Sequence, residues 1–396
     1  MSETSLRLIA TCPEETKDVL IAELQQLGVS NIEPAYRAVH FRATEEQFYA
    51  AHLCLRTASR ILRVIKEVAA QTPEMLYTQA RRIPWQDYFG PERTFLVEGV
   101  PADRGEAFMR ANDISQKVRE GVQEHFLRIG DGKMPKVDLE EPRVIIVAFV
   151  AGGRCTLSFD TSGKSLHKRG YRQDGHPAPI KETLAAAILH LAGYDGTQTF
   201  LDPMCGSGTI AIEAAMIAMS KAPQIHRAKG QFQFEWLAFF NRDLWRTMQE
   251  HYRSEKLASP EHPVVASDID AKYVELARAN ALRARVEKHM QFAVGRFQDI
   301  EAPGPSGILV ANLPYGERLA KAGGIDLEAF YKEIGDTLKK KFTGWRAALL
   351  VAEDSPYKVI GLKTTRRIPL KNGGIPCKLL IYDLYAGSRE KKTTSA

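Results

Sequence analysis

Residues 200–210 read FLDPMCGSGTI. Phe200 and Leu201 are apolar and end a short strand-like run. Asp202 and Pro203 break it, Gly206 and Gly208 form a turn, and residues from Ile210 to Met219 have helical character. The two glycines allow a tight turn and a close approach of ligand to backbone. The helix behind them turns its N-terminus to the same place, which favours a carboxylate or a phosphate. No lysine follows in the GK[ST] arrangement of a phosphate-cradling loop, and the G-x-G-x-x-G spacing of a dinucleotide site is not met. Asp202 stands before the turn, where it can accept a hydrogen bond from an ammonium group or order the loop.

Outward from this turn the pattern is strand, turn, helix, repeated. Downstream, PVVAS at 263–267 is a strand and 271–284 a helix, and residues 308–311 are a strand leading into NLPYG. A helix at 327–340, a strand at 347–351 and an edge strand at 378–384 follow. This rhythm predicts a mostly parallel, doubly wound α/β sheet. Upstream the elements are smaller. Strand 6–11, helix 14–27, a strand near 35–41, a helix at 44–55 and strand 61–68 make a compact unit compatible with a ferredoxin-like module. Thr44 with Gln47 has the spacing of a capping box. A second small unit has helices at 73–82 and 111–126, a strand at 94–100, and a hairpin of 144–150 and 154–160 about Gly152-Gly153.

The chain of 396 residues suits two or three domains and needs no disulfide or structural metal to support a core. Hydrophobic residues are 44% and charged residues 26%, which excludes a disordered or fibrous chain. The net charge of +6 tolerates a nucleic-acid partner. Cys12, Cys54, Cys155, Cys205 and Cys377 are odd in number and scattered, with no C-x-x-C pair. Neither a disulfide scaffold nor a zinc site fits, so no metal is expected. No apolar run reaches membrane-spanning length and the start is too polar for a signal peptide. A cytoplasmic protein without a membrane partner is expected, its oligomeric state open, with a monomer preferred.

Ligands of open parallel sheets bind beyond the carboxyl ends of the strands. The second strand end carries Ser267-Asp268-Ile269-Asp270. Asp268 is placed to grip a ribose diol, and Asp270 to cap the next helix. Asp299 in RFQDI is a candidate for the next strand end, near an adenine amino group, or a plain loop carboxylate. Sixty residues separate Gly208 from Asp268, far more than in a dinucleotide fold. They include QFQFEWLAFFNRDLW at 231–245, expected as an inserted helix burying its rings against the sheet. The third strand end carries Asn312-Leu313-Pro314-Tyr315-Gly316. The Asn312 amide oxygen and the Leu313 carbonyl can accept both N–H bonds of an exocyclic amine while Tyr315 stacks on the base. Pro314 stiffens the turn. Such a grip orients the nitrogen towards an electrophilic methyl group. Cys205 lies at a helix start with no base near it in sequence, and reads as a small residue that fits the loop.

DPMCGSGT, SDID and NLPYGERL together resemble the motifs of class I S-adenosylmethionine-dependent RNA methyltransferases. The chain is most similar to bacterial 23S rRNA guanine-N2 methyltransferases with an N-terminal THUMP domain. SFDTSGKSLHKRGYR and APIKETLAAAIL resemble the junction between THUMP and catalytic domains, and NGGIPCKLLIY at 372–382 the last strand. The resemblance implies a ferredoxin-like domain at 1–67, a THUMP RNA-binding domain at 68–163, and a Rossmann-like methyltransferase domain at 164–390. It implies S-adenosylmethionine as cofactor, held by Asp202, Met204, Cys205, Gly206, Ser207, Gly208 and Thr209, by Asp268, Ile269 and Asp299, and by Asn312. The target amine falls to Asn312, Leu313, Pro314 and Tyr315, which match N-P-P-Y except for Leu313 in place of a proline. The implied partner is 23S rRNA or the assembling large ribosomal subunit, at a guanine of the 2445 type, with a tRNA guanine as the alternative. Lys164, His167, Lys168, Arg169, Tyr171 and Arg172 form one expected RNA-binding patch. Lys363, Arg366 and Arg367 form a second, beside the active-site face.

Overall fold

A computed structural model describes residues 5–102, 109–130, 132–172, 180–314 and 326–385. The chain forms two compact units. The first takes residues up to His167 together with Gln224–Tyr252, and the second takes Lys168–Pro223 and the chain from Arg253 onward.

The first unit is built on β1 (Leu6–Thr11), β2 (Ser30–Ala35), β3 (Ala38–Ala43), β4 (Arg60–Ala69), β5 (Phe95–Pro101), β6 (Val144–Ala151) and β7 (Arg154–Asp160). They join in one sheet of order β2-β3-β1-β4-β7-β6-β5. Its pairs are antiparallel except β5 with β6. The two small units read from the sequence therefore share a sheet, through the pairing of β4 with β7. The single strand expected near 35–41 is two strands, β2 and β3, turning at Tyr36-Arg37, where Arg37 has φ 55. β2 (SNIEPA) is an edge strand with no buried residue, so it carries no apolar alternation to read. The helices are α1 (Lys17–Gln26), α2 (Glu45–Cys54), α3 (Pro73–Arg81) and α4 (Ala111–Ile129). In α4, Ile114, Val118, Val122 and Phe126 recur every four residues and are buried. Gly121 lets α4 press on α3, since a Cβ there would lie 2.8 Å from that of Ala80.

Residues 224–252 also belong to this unit. The rings of Phe232, Phe234 and Trp245 are buried and pack with Tyr49 and His52 of α2, at centroid distances of 4.9 to 5.7 Å. The Phe234 amide donates to the Thr161 carbonyl, and that of Ala238 to the Tyr88 carbonyl at 2.7 Å. The aromatic stretch is thus core, as expected, but core of the N-terminal unit rather than of the parallel sheet. Only Gln233–Trp236 forms a helical turn before α7 (Arg242–Ser254).

The second unit has β8 (Phe200–Asp202), β9 (Val264–Asp268), β10 (Gln291–Val294), β11 (Ile308–Asn312), β12 (Arg346–Ala352), β13 (Arg366–Asn372) and β14 (Ile375–Asp383). Their order is β10-β9-β8-β11-β12-β14-β13. β8 to β12 run parallel, and β14 is antiparallel to both neighbours. β14, expected as the edge, is internal, and the edge is β13 (RRIPLKN), whose polar residues and Pro369 suit an unpaired side. α5 (Glu182–Ala192), α6 (Thr209–Ala218) and α8 (Ala271–Arg283) share a buried cluster with one face of the sheet, including Ile188, Ile212, Ala277 and Val310. α9 (Leu327–Lys341) covers the other face, with Tyr331, Ile334, Leu309 and Leu349. The chain leaves β8 for β9 on one side and later returns to β11 on the other. In open parallel sheets, ligands bind outside the carboxyl ends at such a switch point.

Candidate active site

Three adjacent strands, β9, β8 and β11, end in Asp268, Asp202 and Asn312 at the carboxyl edge. Asp202 is 1% exposed, and its Oδ1 accepts from the Met204 amide at 3.3 Å. Of its two readings, the loop-ordering one is observed. Burial pushes its carboxyl well above the usual range, the Met204 amide opposes that, and the charge of Asp268 adds to it.

The loop between Asp202 and α6 is held by backbone. The Cys205 amide donates to the Ser267 carbonyl, and the Gly208 amide to the Cys205 carbonyl, both at 2.8 Å. Gly206 and Gly208 have φ 51 and 82. A Cβ at Gly208 would lie 2.8 Å from that of Ala277 on α8, so the close approach as well as the dihedral requires glycine. Asn280 of α8, buried, donates to the Ser207 carbonyl at 2.9 Å. Thr209 starts α6, and Gly208 at its N-cap offers no side-chain cap, so the first amides of α6 face the loop. Cys205 is buried and burial raises its thiol pKa well above the ordinary value, with the charges of Asp202 and Asp268 adding to the rise. It is a thiol that fits the turn. Met204 is partly buried against the cluster under α9.

Asp268 is 8% exposed and clamps the loop from the neighbouring strand. Its Oδ2 accepts from the Gly206 amide at 2.9 Å and its Oδ1 from the Asp270 amide at 3.1 Å. Each oxygen keeps a second lone pair for a hydroxyl. Asp270 caps α8 through the Lys272 amide, as its position predicts. Ile269 is 68% exposed, and Val294, which pairs with Asp268 across β9 and β10, is 58% exposed. Two bare apolar side chains at a strand edge suit a flat apolar group. Val294 was not read from the sequence, because β10 (QFAV) is too short to show a pattern. Asp299 is exposed at the end of the turn Phe297–Asp299 that follows β10.

Asn312 is 9% exposed, and its Oδ1 is buried with no hydrogen-bond partner among the described residues. An acceptor in that state is costly unless a ligand donates to it. The Leu313 amide donates to the Leu350 carbonyl at 3.0 Å, and its side chain is fully buried with Leu309, Tyr331 and Ile334. The leucine that departs from N-P-P-Y is therefore a core anchor, and only its carbonyl remains for a ligand. Pro314 is half-buried, and Tyr315 lies outside the described residues.

Of the first expected RNA patch, Arg169 and Tyr171 are buried rather than exposed. The Arg169 side chain is 1% exposed with its Nε 3.4 Å from Glu213 of α6, and the Tyr171 hydroxyl donates to the same carboxylate at 3.1 Å. Arg172 donates to the Ile180 carbonyl at 2.8 Å and pairs with Glu182. Arg169 and Tyr171 face inward on the buried Glu213 of α6, whereas Arg172 is held by α5 through Glu182. Lys164 and Lys168 are exposed, and His167 is half-buried with Nδ1 2.8 Å from the Ser165 hydroxyl. In the second patch, Lys363, Arg366 and Arg367 are exposed. Arg366 lies level with Ala348, through Ile381, whereas Asn312 is level with Leu350. Arg366 and Arg367 therefore sit on the far edge strand, three strands away from β11, rather than beside the active-site residues. Among the described residues no group of three or more His, Cys, Asp or Glu is placed to hold a metal ion, and no helix is long and apolar enough to cross a membrane.

Three family matches tile the chain: an RlmL ferredoxin-like domain over residues 7–62, a THUMP domain over 70–160, and an RMKL-like methyltransferase domain over 169–381. A putative RNA methyltransferase of Synechocystis is 33% identical over 390 residues, covering 97% of this chain and 98% of that one. The ribosomal RNA large subunit methyltransferase K/L of Methylococcus capsulatus is 35% identical over 388 residues, covering 95% of this chain and 51% of that protein. The chain thus spans about half the length of its K/L relatives. Among solved structures, the putative methyltransferase SMU.472 complexed with SAH superposes with a TM-score of 0.85 at 28% identity, covering 98% of this chain and 100% of that one. A possible methylase from Clostridium difficile 630 superposes at 0.86 and 27%, with the same coverage. The chain belongs to the RMKL-like methyltransferase family, in the RNA methyltransferase group whose members carry ferredoxin-like and THUMP domains ahead of a Rossmann-like catalytic domain.

Proposed function

We propose that this chain transfers a methyl group from S-adenosylmethionine to the N2 amine of a guanine in 23S ribosomal RNA, at a site of the 2445 type. The observation that carries the reading is the buried, unpartnered Asn312 Oδ1 at the end of β11, beside a glycine loop built for a ligand. The residues present fit the cofactor. The open N-terminus of α6 and the loop from Asp202 to Thr209 receive its methionine part. Asp268 takes the ribose hydroxyls on its remaining lone pairs, and Ile269, Val294 and Asp299 flank the adenine. When bound, S-adenosylmethionine supplies an electrophilic sulfonium methyl.

The guanine leaves its helix to enter the site. Asn312 Oδ1 and the Leu313 carbonyl accept the two N–H bonds of the amine and hold its nitrogen for attack, with Tyr315 against the ring. This is catalysis by positioning, and the proton lost from nitrogen passes to solvent. Exposed Lys164 and Lys168, with Lys363, Arg366 and Arg367, supply phosphate contacts. The protein acts as a cytoplasmic monomer on 23S rRNA or on the assembling large subunit.

The test offers the purified protein labelled S-adenosylmethionine with deproteinised large-subunit rRNA and with total tRNA, both from a strain lacking the gene. N2-methylguanosine in rRNA is the expected product, and its appearance in tRNA alone overturns the substrate. In Asn312→Ala, transfer at saturating donor falls by about 100-fold or more, as when one transition-state hydrogen bond is removed. Full transfer by this variant overturns the site.

A further inference from the structure

A group of cations gathers at the end of the second unit's sheet remote from the donor loop. α6 starts at that loop and runs back along the sheet, so its ten residues carry the chain about 15 Å away, at about 1.5 Å per residue. There three separate segments meet. Lys221, just past α6, is buried, and its Nζ donates to the Ala284 carbonyl at the end of α8. Arg285 follows in the left-handed conformation, φ 56, and is exposed. Lys288, exposed, and His289, half-buried, lie on the next turn, Glu287–His289. The Leu257 amide donates to the Met219 carbonyl at 2.9 Å, which brings in Lys256.

The charges reinforce one another. Burial, then Lys256 and Arg285, pull the Lys221 pKa down to about 8. His289 is lowered by burial and then by Lys256, Lys221 and Lys288. Glu287, the acid within the turn, is spent on Arg278 at 3.2 Å. Lys256, Arg285 and Lys288 have no ion pair among the described residues. Like charges held together without counter-charge repel, and a polyanion relieves that repulsion.

We propose that Lys256, Arg285 and Lys288, gathered around the buried Lys221, form a docking site for the phosphate backbone of the substrate RNA, distinct from the active-site edge. The proposal rests on the RNA reading of the function. An RNA backbone presents a row of phosphates, and a row of contacts matches cations contributed by two segments better than one small anion does. Contacts of this kind set register and orientation without reading sequence. The site holds RNA beyond the flipped nucleotide while Asn312 holds the amine.

The test is the double variant Lys256→Gln with Lys288→Gln, neither residue being part of the active-site edge. Binding to deproteinised large-subunit rRNA is measured between about 50 and 200 mM salt, the range over which phosphate contacts lose affinity steeply. Losing two phosphate contacts lowers the slope of log affinity against log salt by about 1.5, at about 0.7 to 0.9 per contact. The KM for rRNA rises roughly tenfold by the same counterion argument, with kcat and donor Kd unchanged. The pair Lys256→Arg and Lys288→Arg keeps wild-type values. An unchanged slope and KM in the Gln pair, with methylation of rRNA by wild type intact, overturns this site alone. Failure of the wild type to bind or methylate rRNA overturns the functional reading and this site with it.

Discussion

The two units each hold a seven-stranded sheet, yet only one concentrates chemistry. In the second unit, β9, β8 and β11 run parallel, so Asp268, Asp202 and Asn312 reach the same edge and meet there. In the first unit, neighbouring strands mostly alternate in direction, so successive strand ends point to opposite edges. Its polar residues go into structure instead. Asp160 is fully buried on Arg60, and Glu23 takes the amides of Arg56 and Thr57. Parallel topology lets three residues far apart in sequence build one site. The antiparallel sheet yields a scaffold.

That contrast breaks most readily at Glu213, a charge that the catalytic unit buries outside its site. Glu213 is inaccessible, and it holds both the Arg169 guanidinium and the Tyr171 hydroxyl. Burial and the Glu213 charge keep Tyr171 a neutral phenol. Glu213→Ala leaves Arg169 buried without that partner, at a cost of about 3–5 kcal/mol. Hydrogen exchange should show α6 amides losing protection while α2 amides keep theirs. A loss below about 1 kcal/mol, the level of an exposed pair, would show the network to be dispensable.

The first unit has its own sensitive point, and it responds to acid. His52 is fully buried, with Nδ1 2.8 Å from the Phe48 carbonyl and Nε2 2.9 Å from the Thr161 hydroxyl. Burial lowers its pKa to about 3, whereas an unfolded histidine titrates near 6.5. Between those values the unfolded chain binds the extra proton, so stability is full above about pH 6.5 and falls as the pH drops towards 3. From pH 7 to pH 5 the loss is about 2 kcal/mol. Denaturant unfolding of wild type at both pH values, against His52→Phe, isolates this share, because the variant lacks the titration. Equal pH slopes in the two proteins would mean that His52 is not the acid-sensitive group.

Legibility followed contiguity. DPMCGSGT, SDID and NLPYG each carry their chemistry within a few consecutive residues, so the strand-end edge could be read from the sequence, as could the doubly wound sheet. What was missed is assembled from distant pieces or hidden by polarity. β2 and β13 are polar edge strands without a periodic apolar face. The run HKRGYR looked like one surface patch, because sequence shows charge but not the buried Glu213 that draws Arg169 and Tyr171 inward. The 231–245 aromatics announced a core, but not whose core, since α2 lies nearly two hundred residues earlier. The cations about Lys221 come from three segments, each unremarkable alone.

The smallest test concerns a local signal that also ties two elements together. Thr44 and Gln47 form the capping box expected from their spacing. The Gln47 amide donates to Thr44 Oγ1 at 3.2 Å, and the Thr44 amide donates to Gln47 Oε1 at 3.0 Å. Gln47 Nε2 also donates to the Gly28 carbonyl at 2.9 Å, beyond the end of α1. Thr44→Ala removes one acceptor from the start of α2 and costs about 1 kcal/mol. Gln47→Ala removes the return bond and the link to Gly28, so it should cost more than Thr44→Ala, although the side chain is polar and near the surface. Denaturant unfolding of the two variants decides the order. Equal losses would make the box a property of α2 alone. A larger loss in Gln47→Ala would make it a joint between α1 and α2, in a unit where polar side chains serve structure rather than chemistry.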